Sequence, residues 1–305
     1  MKKSCMALAA LALTTSTTAL AGVHNAQVMQ SGSHEEAAVD QTKVGSKNPA
    51  GGASALALVA QSGDSNQTTI NQSSDGSDPA AASVGYTLSA KNTSIGQSNS
   101  VEIDQVGQLT PLSLAVEIDV NGDHNQSLIQ QVGGLETVSG EQDGSNNQLV
   151  IMQGAAAPAP SGNGNNATVV QSAQANIATI LQTTAGNAAD VHQPGIQNTV
   201  LIQQVGGDSS QTEGANSGVN FASVNQEGYQ NSASVFQHGR NGTAKINQDA
   251  NAVHGAAAIT QNGVFDFAEI DQTGSFQTAT IIQSSGNDGA TVIQSGASNT
   301  ATLHQ

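Results

Sequence analysis

The sequence predicts an all-β protein, a parallel two-sheet β-solenoid in which strand–turn–strand coils stack along one axis. Three observations predict it. Glutamine recurs at 11-residue steps along most of the chain. Within each step small or apolar residues alternate with polar ones, which is the period of a strand. The composition also lacks the bulky side chains of an ordinary core: of 305 residues 2% are aromatic, none is Trp, and Gly and Gln number 33 each. Close-packed interiors draw on large apolar side chains, so hydrogen bonds must carry more of this structure.

Taken from the N-terminus, residues 1–21 read as a secretory signal peptide. Lys2 and Lys3 form a basic start, Met6 to Leu13 an apolar stretch, and Ala19-Leu20-Ala21 a small-residue cleavage site before Gly22. The apolar stretch is too short to span a bilayer. Cys5 precedes that stretch, so it does not suit a lipoprotein anchor, and as the one cysteine it leaves residues 22–305 with no disulfide or thiol chemistry. Without the signal, five basic and 23 acidic side chains remain, a net charge of −18. That sign argues against nucleic acid, whose binders carry basic stripes. It suits solubility and mutual repulsion during export.

The repeat frame runs through residues 22–305. From Gln171 the step gives Gln182, Gln193 and Gln204; from Gln226 it gives Gln237 and Gln248; and from Gln261 it gives Gln272, Gln283, Gln294 and Gln305. Gln131, Gln142 and Gln153 keep the step, as do Gln61 with Gln72 and Gln30 with Gln41. Weaker slots fall at Ser83, Ser94, Val120 and Ala215. Of 24 slots 20 hold Gln, where composition alone would give about three. Two residues before the slot stands Val, Ile or Leu in 20 of 24 cases, four before it Ala in 15, and six before it Asn in 11. Gly follows two residues after the slot in 15 of 23. The unit is therefore N-x-A-x-V-x-Q-x-G-x-x, a strand with Asn, Ala, Val and Gln on one face and a glycine to supply the positive φ of a tight turn. The other face is mostly polar, with Leu181, Leu201, Phe221 and Phe267 departing from it. Prolines keep to insertions, a degenerate slot or a turn. Insertions fall near residues 42–54 and 154–164.

One such unit cannot bury its own apolar face, so two units make a coil of about 22 residues, and about 12 coils are expected. Layers about 4.8 Å apart then place each inward Gln over the Gln two slots away, where amides can donate and accept in a ladder. Inward Asn is expected to do the same. The isolated chain is expected to fold reluctantly and to order on a template, because ordering the backbone costs about 1–2 kcal/mol per residue. Monomeric solenoids cap their end coils with atypical units. Here the frame starts directly after the cleavage site and reaches Gln305, so both ends invite a further chain.

Segments such as Gln226-Glu-Gly-Tyr-Gln-Asn-Ser-Ala-Ser-Val-Phe-Gln237 resemble the curlin repeat, Q-x-G-x-x-N-x-A-x-x-x-Q, and the final NTATLHQ is similar to the end of a curli major subunit. The resemblance covers nearly all of residues 22–305. It implies a secreted subunit that polymerises with itself into extracellular curli-type fibres. It further implies export by a dedicated outer-membrane pore, polymerisation by a nucleator subunit, and service in biofilm matrix and in adhesion to host or abiotic surfaces. Inward Gln and Asn of such repeats form the fibre core, a role that the resemblance assigns to Asn125 with Gln131, Asn165 with Gln171, Asn176 with Gln182, Asn231 with Gln237, Gln283, and Asn299 with Gln305. Members commonly have fewer repeats, and their Gly-rich export segment is not evident after Gly22. Major subunit, nucleator and large accessory curlin stay open. The close match of the last repeats and the non-basic C-terminus favour the first.

No catalytic residue, metal site or cofactor is expected. The acidic pairs Glu102 with Asp104, Glu117 with Asp119, and Glu269 with Asp271 could bind cations. The first two occupy consecutive slots and so opposite sheets, and charge that slows premature assembly fits them better. The histidines at 24, 34, 124, 192, 238, 254 and 304 lack metal-ligand spacing. No nucleophile-elbow, zinc-protease or P-loop pattern occurs. A monomeric solenoid adhesin would need a membrane anchor. An ice-binding solenoid would need flat Thr arrays, of which Thr168, Thr179, Thr280, Thr291 and Thr302 make only a sparse version.

Overall fold

A computed structural model describes residues 22–42, 53–74, 87–107, 113–154, 164–184, 186–206 and 219–305. They form 22 strands, with no helix among the described residues. One sheet holds β1 (Gly22–Ser33), β3 (Ala53–Asp64), β5 (Thr87–Gln97), β7 (Ser113–Asp123), β9 (Thr137–Ser145), β11 (Asn166–Gln174), β13 (Ala188–Gln193), β15 (Phe221–Gln226), β17 (Thr243–Gln248), β19 (Phe267–Ser275) and β21 (Gly289–Ala297). The other holds β2 (Glu36–Thr42), β4 (Gln67–Ser74), β6 (Ser100–Gly107), β8 (Gln126–Gly133), β10 (Gln148–Gly154), β12 (Ile177–Gln182), β14 (Thr199–Gly206), β16 (Ser232–Gly239), β18 (Ala256–Gln261), β20 (Thr278–Gln283) and β22 (Thr300–His304). Each strand pairs in parallel with the next but one in sequence, so odd strands build one sheet and even strands the other. A coil is one odd strand, a turn and one even strand. Eleven strands per sheet at about 4.8 Å per layer make a stack about 53 Å long.

The described residues make 11 coils, against about 12 expected from 24 slots. Slots Ser83 and Ala215 lie outside the described residues, and the even sheet passes directly from Gln72 to Gln105 and from Gln204 to Gln237. Both skipped units carry the wrong inward residues, Pro79 with Ala81 in one and Gln211 with Glu213 in the other. Such a strand would bring little apolar surface or an unpaired carboxylate to the interior. Slots Ser94 and Val120 depart from the unit at the Gln position and elsewhere, as at Asn92, but keep inward apolar residues. Leu88 and Ala90, and Leu114, Val116 and Ile118, still fill the core, and both strands are present.

Register follows the frame. Gln pairs with Gln in nearly every layer, as Gln41 with Gln72 and Gln237 with Gln261. The interior between the sheets is a column of Ala and of Val or Ile, including Ala167, Val169, Ala178 and Ile180, all fully buried. A one-residue slip would expose the whole column, so the apolar alternation fixes the pairing.

The turns from odd to even strands are short and nearly alike. In each of the 11, a non-glycine residue directly before the Asn slot has φ between 54° and 60°, from His34 and Ser65 to Phe276 and Ser298. This is the left-handed region, which costs an L-residue about 1–2 kcal/mol. Stacking holds it: the Ser65, Ser98 and His124 N–H groups donate to the turn carbonyls of the preceding layer at 2.8–2.9 Å. Glycine two residues after the slot answers a second demand. At Gly122, with φ of 122°, a Cβ would stand 1.8 Å from the Gly144 carbonyl oxygen. Gly228 has no positive φ, yet its Cβ would meet the Ala252 oxygen at 1.8 Å. Close approach of layers, as well as φ, selects this residue.

The opposite edge is irregular. Segments 43–52, 75–86, 108–112, 155–163 and 207–218 lie outside the described residues, and each joins an even strand to the next odd one. Most of both expected insertions falls there.

Candidate functional site: the axial amide ladders

In the even sheet, glutamines form one unbroken line. Nε2 of Gln41, Gln72, Gln105, Gln131, Gln153, Gln182, Gln204, Gln237, Gln261 and Gln283 each donates to Oε1 of the next, ending at Gln305, over 2.8–3.3 Å. In the odd sheet the same bond links Gln30 to Gln61 at 2.9 Å, then Gln142, Gln171, Gln193, Gln226, Gln248, Gln272 and Gln294 in series at 2.8–3.0 Å. Every donor points toward the C-terminal layer, so the ladder has a direction.

The second bond of most ladder amides crosses to the opposite sheet, within the same coil for even strands and to the preceding coil for odd ones. Gln182 donates to the Asn166 carbonyl at 3.1 Å, Gln193 to Ile177 at 3.2 Å, and Gln237 to Phe221 at 3.0 Å. These acceptors open the preceding strand, in the opposite sheet. Glutamine thus serves both as a rung between layers and as a clasp between the two sheets, a role that spacing alone does not reveal.

Asparagine behaves differently from the expectation of a second amide ladder. In the even sheet Oδ1 of Asn125 accepts the backbone N–H of Asn147 at 2.9 Å, Asn147 that of Asn176 at 3.0 Å, and Asn198 that of Asn231 at 2.9 Å. Nδ2 donates to turn carbonyls of the next layer, Asn125 to Gly144 at 2.9 Å, Asn176 to Gly195 at 2.7 Å and Asn231 to Ala252 at 2.9 Å. In the even sheet the asparagine side chain thus staples backbone to backbone, whereas the odd sheet keeps a short amide ladder of the expected kind. Direct side-chain contacts join Asn165, Asn187 and Asn220 at 3.2–3.3 Å in the odd sheet.

Asn125, Gln131, Asn165, Gln171, Asn176, Gln182, Asn231, Gln237 and Gln283 are all buried. Asn299 is half-buried and Gln305 exposed, both in the last layer. Gln131, Gln182, Gln237, Gln283 and Gln305 share the even ladder, and Gln171 belongs to the odd one.

The odd ladder breaks at Ser94 and Val120, and residues that the frame does not single out repair it. Gln61 Nε2 turns to the Thr68 hydroxyl at 3.0 Å, and Asn92 Nδ2 reaches Thr68 at 2.7 Å and Ser94 at 3.0 Å. On the far side of the gap, Ser127 donates its hydroxyl to Gln142 Oε1 at 2.6 Å. Their signal in the sequence is a polar residue at an inward apolar position close to a degenerate slot.

Four carboxyls, Glu35, Glu136, Asp266 and Asp288, occupy Asn slots. Glu136 is buried, its Oε2 has no hydrogen-bond partner among the described residues, and Asn165 Nδ2 in the next layer has none either. Burial pushes its pKa from the ordinary 4.5 to about 8. Glu35 is also raised by burial, an effect opposed by the bond from Asn66 Nδ2 at 3.1 Å. The outward acidic pairs are more ordinary. Lys91 bridges to Glu117, and Asn71 donates to Asp104 at 2.7 Å. Among the described residues no three His, Cys, Asp or Glu side chains converge as metal ligands. His34, His124 and His254 stand at left-handed turn positions, while His192, His238 and His304 are exposed on strands. Among those residues there is also no helix long and apolar enough to cross a membrane.

No curated protein matches the chain. Residues 220–249 match the family model described as the curlin associated repeat. The matched segment spans β15, β16 and β17, whose Gln226, Gln237 and Gln248 stand in the same frame as the rungs above and below them. Residues 220–249 carry the curlin associated repeat, and the coils on either side continue its frame.

Proposed function

We propose that this chain is the major subunit of an extracellular curli-like amyloid fibre, secreted through an outer-membrane pore and polymerised on a nucleator as part of a biofilm matrix and adhesive coat. Its work is structural rather than catalytic. The observation that carries the reading is the even-sheet ladder, in which ten consecutive bonds share one direction. β1 and β2 at one end and β21 and β22 at the other are each bonded on one side only. Gln305 can donate to Gln41 of a second copy as Gln283 donates to Gln305, so the contact that holds the molecule together can continue between molecules. Open strand edges and a non-closing contact give filaments. A signal at residues 1–21 and a mature solenoid from Gly22 belong to the same proposal.

Seeded polymerisation of residues 22–305 tests it. Thioflavin-positive fibres with a 4.8 Å meridional reflection and a seeding response lost on replacing Gln237, Gln283 and Gln305 are expected. A protein that stays monomeric and folded under concentrated incubation with seeds would overturn the proposal.

A further inference from the structure

The two outer faces differ in charge. Between β7 and β21 the odd sheet presents Glu117, Asp119, Glu141, Asp190, Glu269 and Asp271, with Lys245 among them. From β8 to β22 the outward positions of the even sheet hold no Asp, Glu, Lys or Arg. Charge on that face is confined to Glu36, Asp40, Glu102 and Asp104, on β2 and β6. In a chain of net charge −16, eight successive neutral strands form a bare field.

An apolar patch lies across it. Leu128 pairs with Val150, Met152 with Leu181, and Thr179 with Leu201, while Gln203 adjoins Phe236. Leu201 is 45% exposed and Met152 38%. Leu181 and Leu201 break the polar alternation of the sequence.

We infer that the outer face of the even sheet packs against the same face of a second copy, pairing two stacks side by side. The inference deepens the fibre reading and rests on it for the length of the contact. Three arguments select a second copy. A neutral face can meet its own kind without desolvating a charge, whereas odd faces would oppose six carboxylates to six. Eight strands with three outward positions each offer 24 side chains, within the roughly 20–30 per side of a stable interface. Flat β-faces of Thr, Ser, Ala and aliphatic residues pack at about 10 Å, side chains interdigitated.

Scanning transmission microscopy of unstained fibres reads the mass per length. Pairing predicts two chains per about 53 Å of fibre, against one for a single stack. The double variant Leu201→Lys with Phe236→Lys should halve that value while the 4.8 Å reflection persists, and Ser223→Lys on the odd face should leave it at two. Leu201→Thr with Phe236→Thr, which keeps strand-forming side chains, should also loosen pairing and guards against misfolding of the lysine variant. One chain per repeat in the unsubstituted fibre, or two in both even-face variants, overturns the pairing and leaves the fibre reading intact. If no fibres form, sedimentation equilibrium decides: a dimer made monomeric by the lysine variant supports the pairing, and a monomer overturns it. Single stacks that float with phosphatidylcholine vesicles until Leu201→Lys is introduced would assign the face to a lipid surface and overturn it too.

Discussion

Glu136 shows what one residue in the wrong slot can do. The next layer holds Asn165 at this position and the preceding one Leu114, and an amide could bond to Asn165 while remaining neutral. Below pH about 4.5 the carboxyl is protonated whether the chain is folded or not. Between 4.5 and about 8 only the folded protein holds the proton. Stability from this group is therefore full in acid and falls as pH rises through that window, by up to about 1.4 kcal/mol per unit. Guanidinium midpoints measured from pH 4 to pH 9 should decline, and Glu136→Gln should flatten the decline and stabilise the protein above pH 8. Ser127 is a second such test. Ser127→Ala leaves Gln142 Oε1 without its donor, and a loss of about 1–3 kcal/mol is expected in the same measurement. Neither residue stands out in the repeat consensus, since each matters through a neighbour one layer away. The glutamines were legible because every layer repeats the demand. The clasp to the opposite sheet was not, because spacing fixes stacking and says nothing of where a second N–H points.

At the level of strands and turns, the frame predicted alternation, register and the parallel order, all of which follow from a period of two and a step of 11. The described residues hold 11 coils against about 12 expected, because a slot was counted wherever the step fell. A strand also needs inward apolar residues, and Pro79 and Glu213 stand where the skipped units lack them. The turns were half legible. Glycine was expected for its φ, whereas the left-handed residue common to every odd-to-even turn lies two positions later and is never glycine. Composition could not reveal it, because stacking rather than residue type stabilises it. Gly228→Ala separates the two demands, since φ there is not positive and only close contact, with the Ala252 carbonyl and the Asn231 amide, opposes a methyl group. Hydrogen exchange should show protection lost around β15 to β18 and retained in β3 to β8. Uniform protection would mean that the layers can part without unlocking.

For the whole molecule, the acidic odd face and the neutral even face set how copies approach. Carboxylates on Glu117, Asp119, Glu141, Asp190, Glu269 and Asp271 repel neighbours at neutral pH. Fibre growth followed by thioflavin should accelerate as pH falls toward the pI of about 4.4. The acceleration should survive Glu136→Gln, which separates surface repulsion from the buried carboxyl, and high salt should reproduce much of it at pH 7. A rate indifferent to both would remove the gatekeeping role of these pairs.

The uneven edge of the solenoid has a practical corollary. At five places along one edge, between 5 and 12 residues outside the described ones stand between the end of an even strand and the start of the next odd one, while the rungs, the clasps and both outer faces lie elsewhere. A foreign epitope or enzyme tag spliced between Thr42 and Ala53 would hang like a pennant from a mast. Decorated fibres should therefore assemble at the native rate, carrying one passenger per molecule at regular intervals, and immunogold spacing would measure that interval directly.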